Sequence, residues 1–530
     1  MGDISGDNLP PKRVAVIGAG VSGITAAKHL KNVGINPVVF ERSSRIGGNW
    51  LYDERRPIEP TYPSLKASIA DPWKEVDDTK DEKGWTSEDE LKFAPPGPAY
   101  PGLTNNVSTK CQSLKDFPWP EGTPDYVNVL VKQKYIQGYA ERFGVVPLIQ
   151  FNTRVERIQK VGEKWRVRTT TLIKDASGRI DWRRGEIEDF DAVVVASGHY
   201  HASKVPDIPG LKEWKETWPN RVEHSKRYRG PEDFRDQTVL LIGGGVSSVD
   251  IGRECSGIAK KIYQSSRGGA FDLPDSFISP ETERVTGIAS FTPPAPDATK
   301  DAPGTVTLTD GRVLADIDRV IIATGYLFSL PFLPELHNDD LAPEEVDDKT
   351  LVTDGLQLHN LHKDIFYIPD PTLSFIGVPA YTATYTFFEF QSIAVAAVLS
   401  NHAFLPSTEG QRKEYDGRVK EKGYGRAFHS LQKNQDVPYV EDLIAWLNRD
   451  AEKTGGEKWE PYSEEWKAEK AKLFAKYQAN VEAYLEGREK VGTLEKASGF
   501  AFETELEKGL KELKTDEVKV ELAQEIKVEN

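Results

Sequence analysis

Val14-Ala15-Val16-Ile17-Gly18-Ala19-Gly20-Val21-Ser22-Gly23 is the stretch that decides the fold, and it has an echo in Val239-Leu240-Leu241-Ile242-Gly243-Gly244-Gly245-Val246-Ser247-Ser248. Each is a β-rich apolar run that ends in a glycine cluster and is followed by residues that read as helix. In such a strand–turn–helix unit the first glycine makes the tight turn. The second lets the backbone approach a pyrophosphate, and the third lets helix and strand pack closely. The helix N-terminus then presents its unpaired N–H groups to the phosphates. Gly18, Gly20 and Gly23 fill these places in the first copy. Gly243, Gly245 and Ser248 fill them in the second, where serine is small enough for the same packing. Two copies this far apart imply two nucleotide-binding domains.

Two further strand-like runs, Ala192-Val193-Val194-Val195-Ala196-Ser197-Gly198 and Val320-Ile321-Ile322-Ala323-Thr324-Gly325, bracket the second cluster. They read as the points where the chain leaves one domain and returns to it. The expected fold is α/β, with two dinucleotide-binding (Rossmann-like) domains, the second inserted into the first. Residues 1–207 and 325–455 form the outer domain, 208–324 the inserted one, and 456–530 a charged helical and partly disordered C-terminal extension. Trp466, Leu473, Phe474, Tyr477 and Tyr484 are spread through that extension, which reads as a solvated helix and tail. Residues 74–98, charged and ending in prolines, read as a surface excursion. Residues 293–304, with Pro293, Pro294, Pro296, Pro303 and Gly304, read as a loop between strands.

The 530 residues carry 38% hydrophobic and 28% charged side chains, an ordinary composition with material for large cores. The net charge of −15 disfavours nucleic acid and anionic membranes as partners. Two distant cysteines, Cys111 and Cys255, exclude a disulfide framework and a cysteine-rich metal site. No secretory signal or myristoylation pattern is read at Met1-Gly2-Asp3-Ile4-Ser5-Gly6. The apolar run Ile393–Leu399 is far shorter than the ~20 residues a membrane helix needs. A cytoplasmic protein without a membrane anchor is the expectation, and the composition is compatible with a homo-oligomer.

The flanks of the two clusters distinguish their cofactors. The strand after the first, Pro37-Val38-Val39-Phe40, ends at Glu41, where a ribose-binding carboxylate belongs. A second glycine pair follows in Ile46-Gly47-Gly48-Asn49-Trp50, as the longer FAD requires. FAD is therefore assigned to this site, with Gly48, Asn49 and Trp50 among its contacts. The strand after the second cluster, Lys261-Ile262-Tyr263-Gln264, runs into Ser265-Ser266-Arg267 with no carboxylate at its end; the first acid is Asp272. Hydroxyls and a guanidinium suit a 2′-phosphate that a carboxylate would repel. NADPH is assigned here, with Ser247, Ser266 and Arg267 as contacts.

At this point the chain resembles the flavin-containing monooxygenases, over about residues 12–405. Trp218-Pro219-Asn220-Arg221-Val222-Glu223-His224-Ser225-Lys226-Arg227-Tyr228 resembles that family's F-x-G-x-x-x-H-x-x-x-Y/F motif. His224 and Tyr228 match. Trp218 keeps an aromatic, and Asn220 replaces glycine by a residue that tolerates positive φ. Ser197-Gly198-His199-Tyr200 and Ala323-Thr324-Gly325-Tyr326 fit as well, as do Lys115-Asp116-Phe117-Pro118, Leu373-Ser374-Phe375-Ile376-Gly377 and Glu389-Phe390-Gln391. The resemblance places the active-site asparagine at Asn106, beside Asn105 in Leu103-Thr104-Asn105-Asn106-Val107. It also places cofactor contacts at Asn105, Val155, Thr324 and Gln391.

The implied chemistry is NADPH- and O2-dependent oxygenation of a soft nitrogen or sulfur nucleophile, a small molecule, through a C4a-hydroperoxyflavin. The cofactor would carry the hard chemistry and the protein would exclude water. Baeyer–Villiger oxygenation of ketones is the alternative within enzymes, although the Trp-Pro expected there is replaced by Tyr228-Arg229. A flavin-binding redox sensor without turnover is the alternative outside them. His199 and His201 form an H-x-H pair with no further ligands, so no metal site is assigned.

Overall fold

The computed structural model describes residues 10, 12–71, 85–175, 178, 180–293, 295, 299, 302 and 304–472. Strand β1 (Arg13–Ile17) leads into the helix Val21–Asn32, and β2 (Asn36–Phe40) returns beside it. After the helix Val129–Arg142 come β3 (Ile149–Gln150) and an antiparallel group, β4 (Thr153–Val161), β5 (Lys164–Lys174), β6 (Ile180–Arg184) and β7 (Glu188–Phe190). Strand β8 (Ala192–Val195) then pairs with β1, and β9 (Ala202–Ser203) leads out of this domain.

The inserted domain contains β10 (Val222–His224), β11 (Thr238–Ile242), the helix Val246–Cys255, β12 (Lys261–Ser265) and β13 (Thr282–Val285). A small antiparallel sheet follows: β14 (Ile288–Phe291), β15 (Val306–Leu308) and β16 (Val313–Leu314). Strand β17 (Arg319–Ile322) closes the domain. The described members of 293–304 form neither helix nor strand between β14 and β15, as the proline pattern implies. Strand β18 (Tyr326–Leu327) pairs antiparallel with β9, so the two chain crossings form one short ribbon. The outer domain is completed by β19 (Leu361–His362), β20 (Phe366–Tyr367), β21 (Leu373–Phe375) and the helices Thr384–Leu399, Thr408–Lys422 and Asp436–Thr454.

The outer sheet has the order β19-β20-β21-β8-β1-β2-β3, and the inserted sheet β10-β17-β11-β12-β13. The inserted sheet is parallel throughout, and the outer one is parallel from β21 to β3. Parallel strands covered on both faces need apolar residues at every position, which is why these runs do not alternate with polar ones. Successive side chains still point to opposite faces. Val14, Val16, Val39 and Val194 meet the helices on one side; Ala15, Ile17, Phe40, Val193 and Val195 meet the β4–β7 side. In the inserted sheet Val239, Leu241 and Ile321 share one core, and Leu240, Ile242, Val320 and Ile322 the other.

Two peripheral segments are more firmly packed than their composition suggests. Part of the 74–98 excursion lies outside the described residues. Its remainder contains the helix Ser87–Phe93, whose N-terminus Thr86 and Asp89 cap reciprocally. Phe93 is buried against Leu172 and Ile180. In the extension, Trp466 stacks on Tyr462 with ring centroids 3.6 Å apart and donates from Nε1 to the Cys111 carbonyl at 3.0 Å. The start of the extension is therefore docked on the outer domain rather than solvated. Leu473, Phe474, Tyr477 and Tyr484 lie outside the described residues.

Candidate functional site

The first glycine loop is shaped by backbone contacts that leave no room for side chains. Gly18 has φ +102°, and a Cβ there would stand 2.8 Å from the Ala196 carbonyl oxygen. A Cβ on Gly23 would stand 1.8 Å from the Gly18 carbonyl oxygen. Gly20 faces the second glycine pair across bare backbone: a Cβ on Gly48 would be 3.0 Å from the Gly20 Cα. Gly48 begins a 3-10 turn, Gly48–Trp50, that carries half-buried Asn49 and Trp50. The helix Val21–Asn32 starts at Gly20 with no side-chain cap and no acid in its first turn. Its first N–H groups are left for an anion.

Glu41 ends β2 and is buried. Its Oε2 accepts from the Ala19 amide at 2.7 Å and its Oε1 from the Ser43 amide at 2.8 Å. A carboxylate has about four acceptor sites, so two remain for ribose hydroxyls. Strand β4 runs alongside: Thr153 donates to the Glu41 carbonyl at 2.8 Å and Asn152 to the Ser43 carbonyl at 2.9 Å. Val155, two residues on, pairs with Thr169 and buries its side chain in the core with Phe40. These residues fit FAD: two side-chain-free approaches, an uncapped helix and a ribose acid converge.

The second loop repeats the design. Gly243 has φ +129°, and its Cβ would meet the Ala323 carbonyl oxygen at 2.4 Å; Gly245 faces open space. The helix Val246–Cys255 also starts uncapped, with Ser247 exposed in its first turn. Ser248 is buried, donates to the Gly245 carbonyl at 2.9 Å and accepts from Gln264 Nε2 at 2.8 Å. Serine thus closes the loop as well as fitting the space. Arg267 is exposed and has no ion pair among the described residues, so its guanidinium fork is free for a phosphate. The residues fit a dinucleotide carrying a 2′-phosphate. Asp272, absent from the strand end, folds back there: its Oδ2 accepts from Ser266 Oγ at 2.5 Å and from the Gly269 amide at 3.0 Å.

Comparison with known proteins now decides the family. The flavin-binding monooxygenase-like family model matches residues 11–76 and 94–278. The chain is 40% identical over 502 residues to the flavin-containing monooxygenase ustF2 of Aspergillus flavus, covering 89% of this chain and 99% of that protein. It is 32% identical to the flavin-containing monooxygenase iboF of Amanita muscaria, covering 84% and 90% of the two chains. The chain belongs to the flavin-containing monooxygenase family. Among solved structures, the S-allyl-L-cysteine S-oxygenase of Allium sativum superposes with a TM-score of 0.62 at 24% identity, over 91% of this chain and 94% of that one, which supports the fold. FAD and NADPH are accordingly its cofactors.

Within this flavin-containing monooxygenase the family motif is a clasp between domains. His224, at the end of β10, is fully buried. Its Nδ1 accepts from the Lys226 amide at 3.2 Å, so the proton sits on Nε2, which donates to the Gly325 carbonyl at 3.2 Å. Burial lowers its pKa to about 3, keeping the ring neutral. Thr324, expected at the cofactor, donates to the Lys204 carbonyl at 2.6 Å, across the β9/β18 ribbon. Lys226 is buried and donates to the His201 carbonyl at 2.9 Å. Tyr228 donates to Glu254 at 2.6 Å. Asn220 lies in a turn without positive φ, so the conformational reason for glycine there does not apply.

The remaining assigned residues divide sharply. Asn105 is buried and fully engaged: Nδ2 donates to the Val107 and Asp125 carbonyls at 2.7 and 2.9 Å, and Oδ1 accepts from the Val127 amide at 2.6 Å. Asn106 is exposed and makes no side-chain hydrogen bond among the described residues. Gln391 is buried, accepts from the Gly377 amide at 2.9 Å and donates to Tyr439 at 3.2 Å, so it holds the Gly377 turn.

Two clusters escaped sequence reading because their members are far apart in the chain. Glu389 accepts from Lys28 at 3.3 Å, His29 at 3.0 Å, Tyr139 at 3.0 Å and the Lys115 amide at 2.6 Å. Burial raises its pKa, but the His29 and Lys28 contacts outweigh that and hold it ionised. Lys132 is fully buried and bonded to Gln112, with its ammonium 3.7, 4.9 and 5.2 Å from the rings of Tyr385, Trp50 and Trp119. Burial pushes its pKa well below the usual lysine value. Its contact with Trp50 ties the Gly48–Trp50 turn to Tyr385 and Trp119. No group of His, Cys, Asp and Glu fit for a metal occurs among the described residues. No helix among them is long and apolar enough to cross a membrane.

Proposed function

We propose that this chain is an NADPH-dependent monooxygenase that transfers one oxygen atom from O2 to a soft nitrogen or sulfur nucleophile. The observation that carries the reading is the free amide of Asn106, presented beside a buried scaffold built by Asn105. Bound FAD supplies the oxygen-activating redox chemistry and NADPH the hydride that reduces it. Gly18, Gly20, Gly23 and Gly48 admit the FAD pyrophosphate, and Glu41 accepts from its ribose. Trp50 and Asn49 line the turn beyond, and Val155 and Gln391 support the cradle from the core. Gly243, Gly245, Ser247 and Ser248 form the NADPH turn. Arg267 and Ser266 meet the 2′-phosphate, and Thr324 fixes the connector at the limit of an inserted domain spanning 208–324.

The site needs no enzymic nucleophile, because the substrate provides the electron pair. Asn106 would donate or accept one hydrogen bond to orient the reacting groups. His224, held neutral and without an exposed face, cannot shuttle protons to solvent and serves to hold the domains. Tyr228-Arg229, standing where ketone oxygenation would call for Trp-Pro, also supports a nitrogen or sulfur nucleophile. Tyr228 is committed to Glu254, and Arg229 donates to the Asp53 and Arg55 carbonyls at 2.9 Å. The test is NADPH-dependent oxygen uptake with a dialkyl thioether, a tertiary amine and a cyclic ketone in parallel. Sulfoxide or N-oxide equal to the NADPH consumed is expected. Lactone as the sole product would overturn the reading.

A further inference from the structure

Each glycine loop has a carboxylate at its middle residue, held there in a different way. In the first, the Glu41 carboxylate is bonded to Ala19, the residue between Gly18 and Gly20. In the second, the corresponding residue is Gly244, between Gly243 and Gly245. A Cβ there would lie 2.4 Å from Asp272 Cγ and 2.6 Å from its Oδ1. Leu273 donates to the Gly244 carbonyl at 2.7 Å, which ties the Asp272 segment onto the loop. Asp272 thus places a carboxylate against the middle residue of the second loop, without the amide bond that Glu41 makes in the first, and it arrives from a loop six residues beyond Ser266 and not from the strand end.

Its contacts act against a 2′-phosphate twice over. Asp272 engages the Ser266 hydroxyl, which is then not free to donate to phosphate. It also brings a negative charge to the position where a 2′-phosphate would add two more. The partner that favours the phosphate, Arg267, is not paired with Asp272: no ion pair joins them among the described residues. The two side chains are separate poles of one site.

We infer that Asp272 is a specificity-determining residue that lowers this site's preference for NADPH over NADH, in opposition to Arg267. The inference rests on the reading of the second loop as the NADPH site. With NADH, Asp272 accepts from the ribose 2′-OH as Glu41 does in the first loop. With NADPH, the segment Gly268–Leu273 must release Ser266 before the phosphate can settle. NADPH selectivity in this chain is therefore a contest between two side chains, and either nicotinamide nucleotide can be favoured by removing one of them.

The test is equilibrium binding of NADP+ and of NAD+ to the oxidised FAD-loaded protein, at one fixed ionic strength, for the parent chain and for Asp272→Asn, Asp272→Ala and Arg267→Ala. Both Asp272 variants are expected to raise the ratio of NADP+ to NAD+ affinity by about tenfold, since a like charge is lost on one side and a hydrogen-bond acceptor weakened on the other. Arg267→Ala is expected to move the ratio the opposite way. An unchanged ratio in both Asp272 variants, with Arg267→Ala still shifting it, would overturn the role of Asp272 and leave the NADPH site standing. An unchanged ratio in Arg267→Ala would overturn the site assignment itself, and the inference with it.

Discussion

Asn105 and Asn106 are neighbours with the same side chain and opposite surroundings. Three backbone partners saturate Asn105, while Asn106 faces outward with its amide free. Nothing in the local sequence separates them, because the difference lies in the carbonyls of Val107 and Asp125 and the amide of Val127. Asn106→Ala is expected to keep its FAD and to oxidise NADPH at a rate within about twofold of the parent, while product per NADPH falls about tenfold, the effect of losing one hydrogen bond in the reacting geometry. Simultaneous measurement of NADPH, hydrogen peroxide and product checks this. Full coupling in the variant would remove Asn106 from the site. Gln391 and Thr324 show the complementary case: the sequence marks them, but their polar atoms serve Gly377, Tyr439 and Lys204.

At the scale of elements the sequence was highly legible wherever a backbone requirement restricts residue type. Gly18, Gly23 and Gly243 are written into the chain because a Cβ at each would collide with a carbonyl oxygen. The strands β1, β8, β11 and β17 were legible because both faces are buried, which forces unbroken apolar runs. Gly23→Ala is therefore expected to separate the turn from the helix Val21–Asn32. Purified protein should carry about tenfold less FAD than the parent, since even a 1.4 kcal/mol loss has that effect, and it should still bind NADP+ through the inserted domain. Flavin absorbance per protein, with an NADP+ titration alongside, measures both. Full FAD content would contradict the close approach seen at Gly23. What the sequence did not reveal at this scale is a carboxylate reaching the second loop from Asp272, because a loop conformation decides it. The same holds for the Glu389 and Lys132 clusters, whose partners come from separate segments.

Across the whole molecule, histidines buried in neutral form link stability to pH. His224, His359 and His362 are buried, and burial lowers their pKa values to about 3, 4 and 3 from 6.5. Below pH 6.5 the unfolded chain gains protons that the folded chain refuses, so stability present above that pH is lost as pH falls toward 4. Each histidine contributes up to about 1.4 kcal/mol per pH unit inside that window. The urea midpoint is expected to fall steadily between about pH 6.5 and pH 5 and to be flat above about pH 7. A midpoint that does not change over the lower interval would contradict the neutral clasp at His224.

The insertion of one dinucleotide domain into another was legible from two glycine clusters and the two small-residue strand ends that bracket them. The clasp that joins them was visible only as a motif, and its hydrogen bonds give it a physical reason. The proposed function requires both halves to serve one reaction, transfer of a single atom from O2 to a nucleophile. Turnover under 18O2 with NADPH and a thioether or amine, followed by mass spectrometry of the product, tests it most directly. One 18O atom per product molecule, with product equal to NADPH consumed, is the expected result. NADPH oxidation that yields only hydrogen peroxide, or product that takes its oxygen from water, would contradict that function.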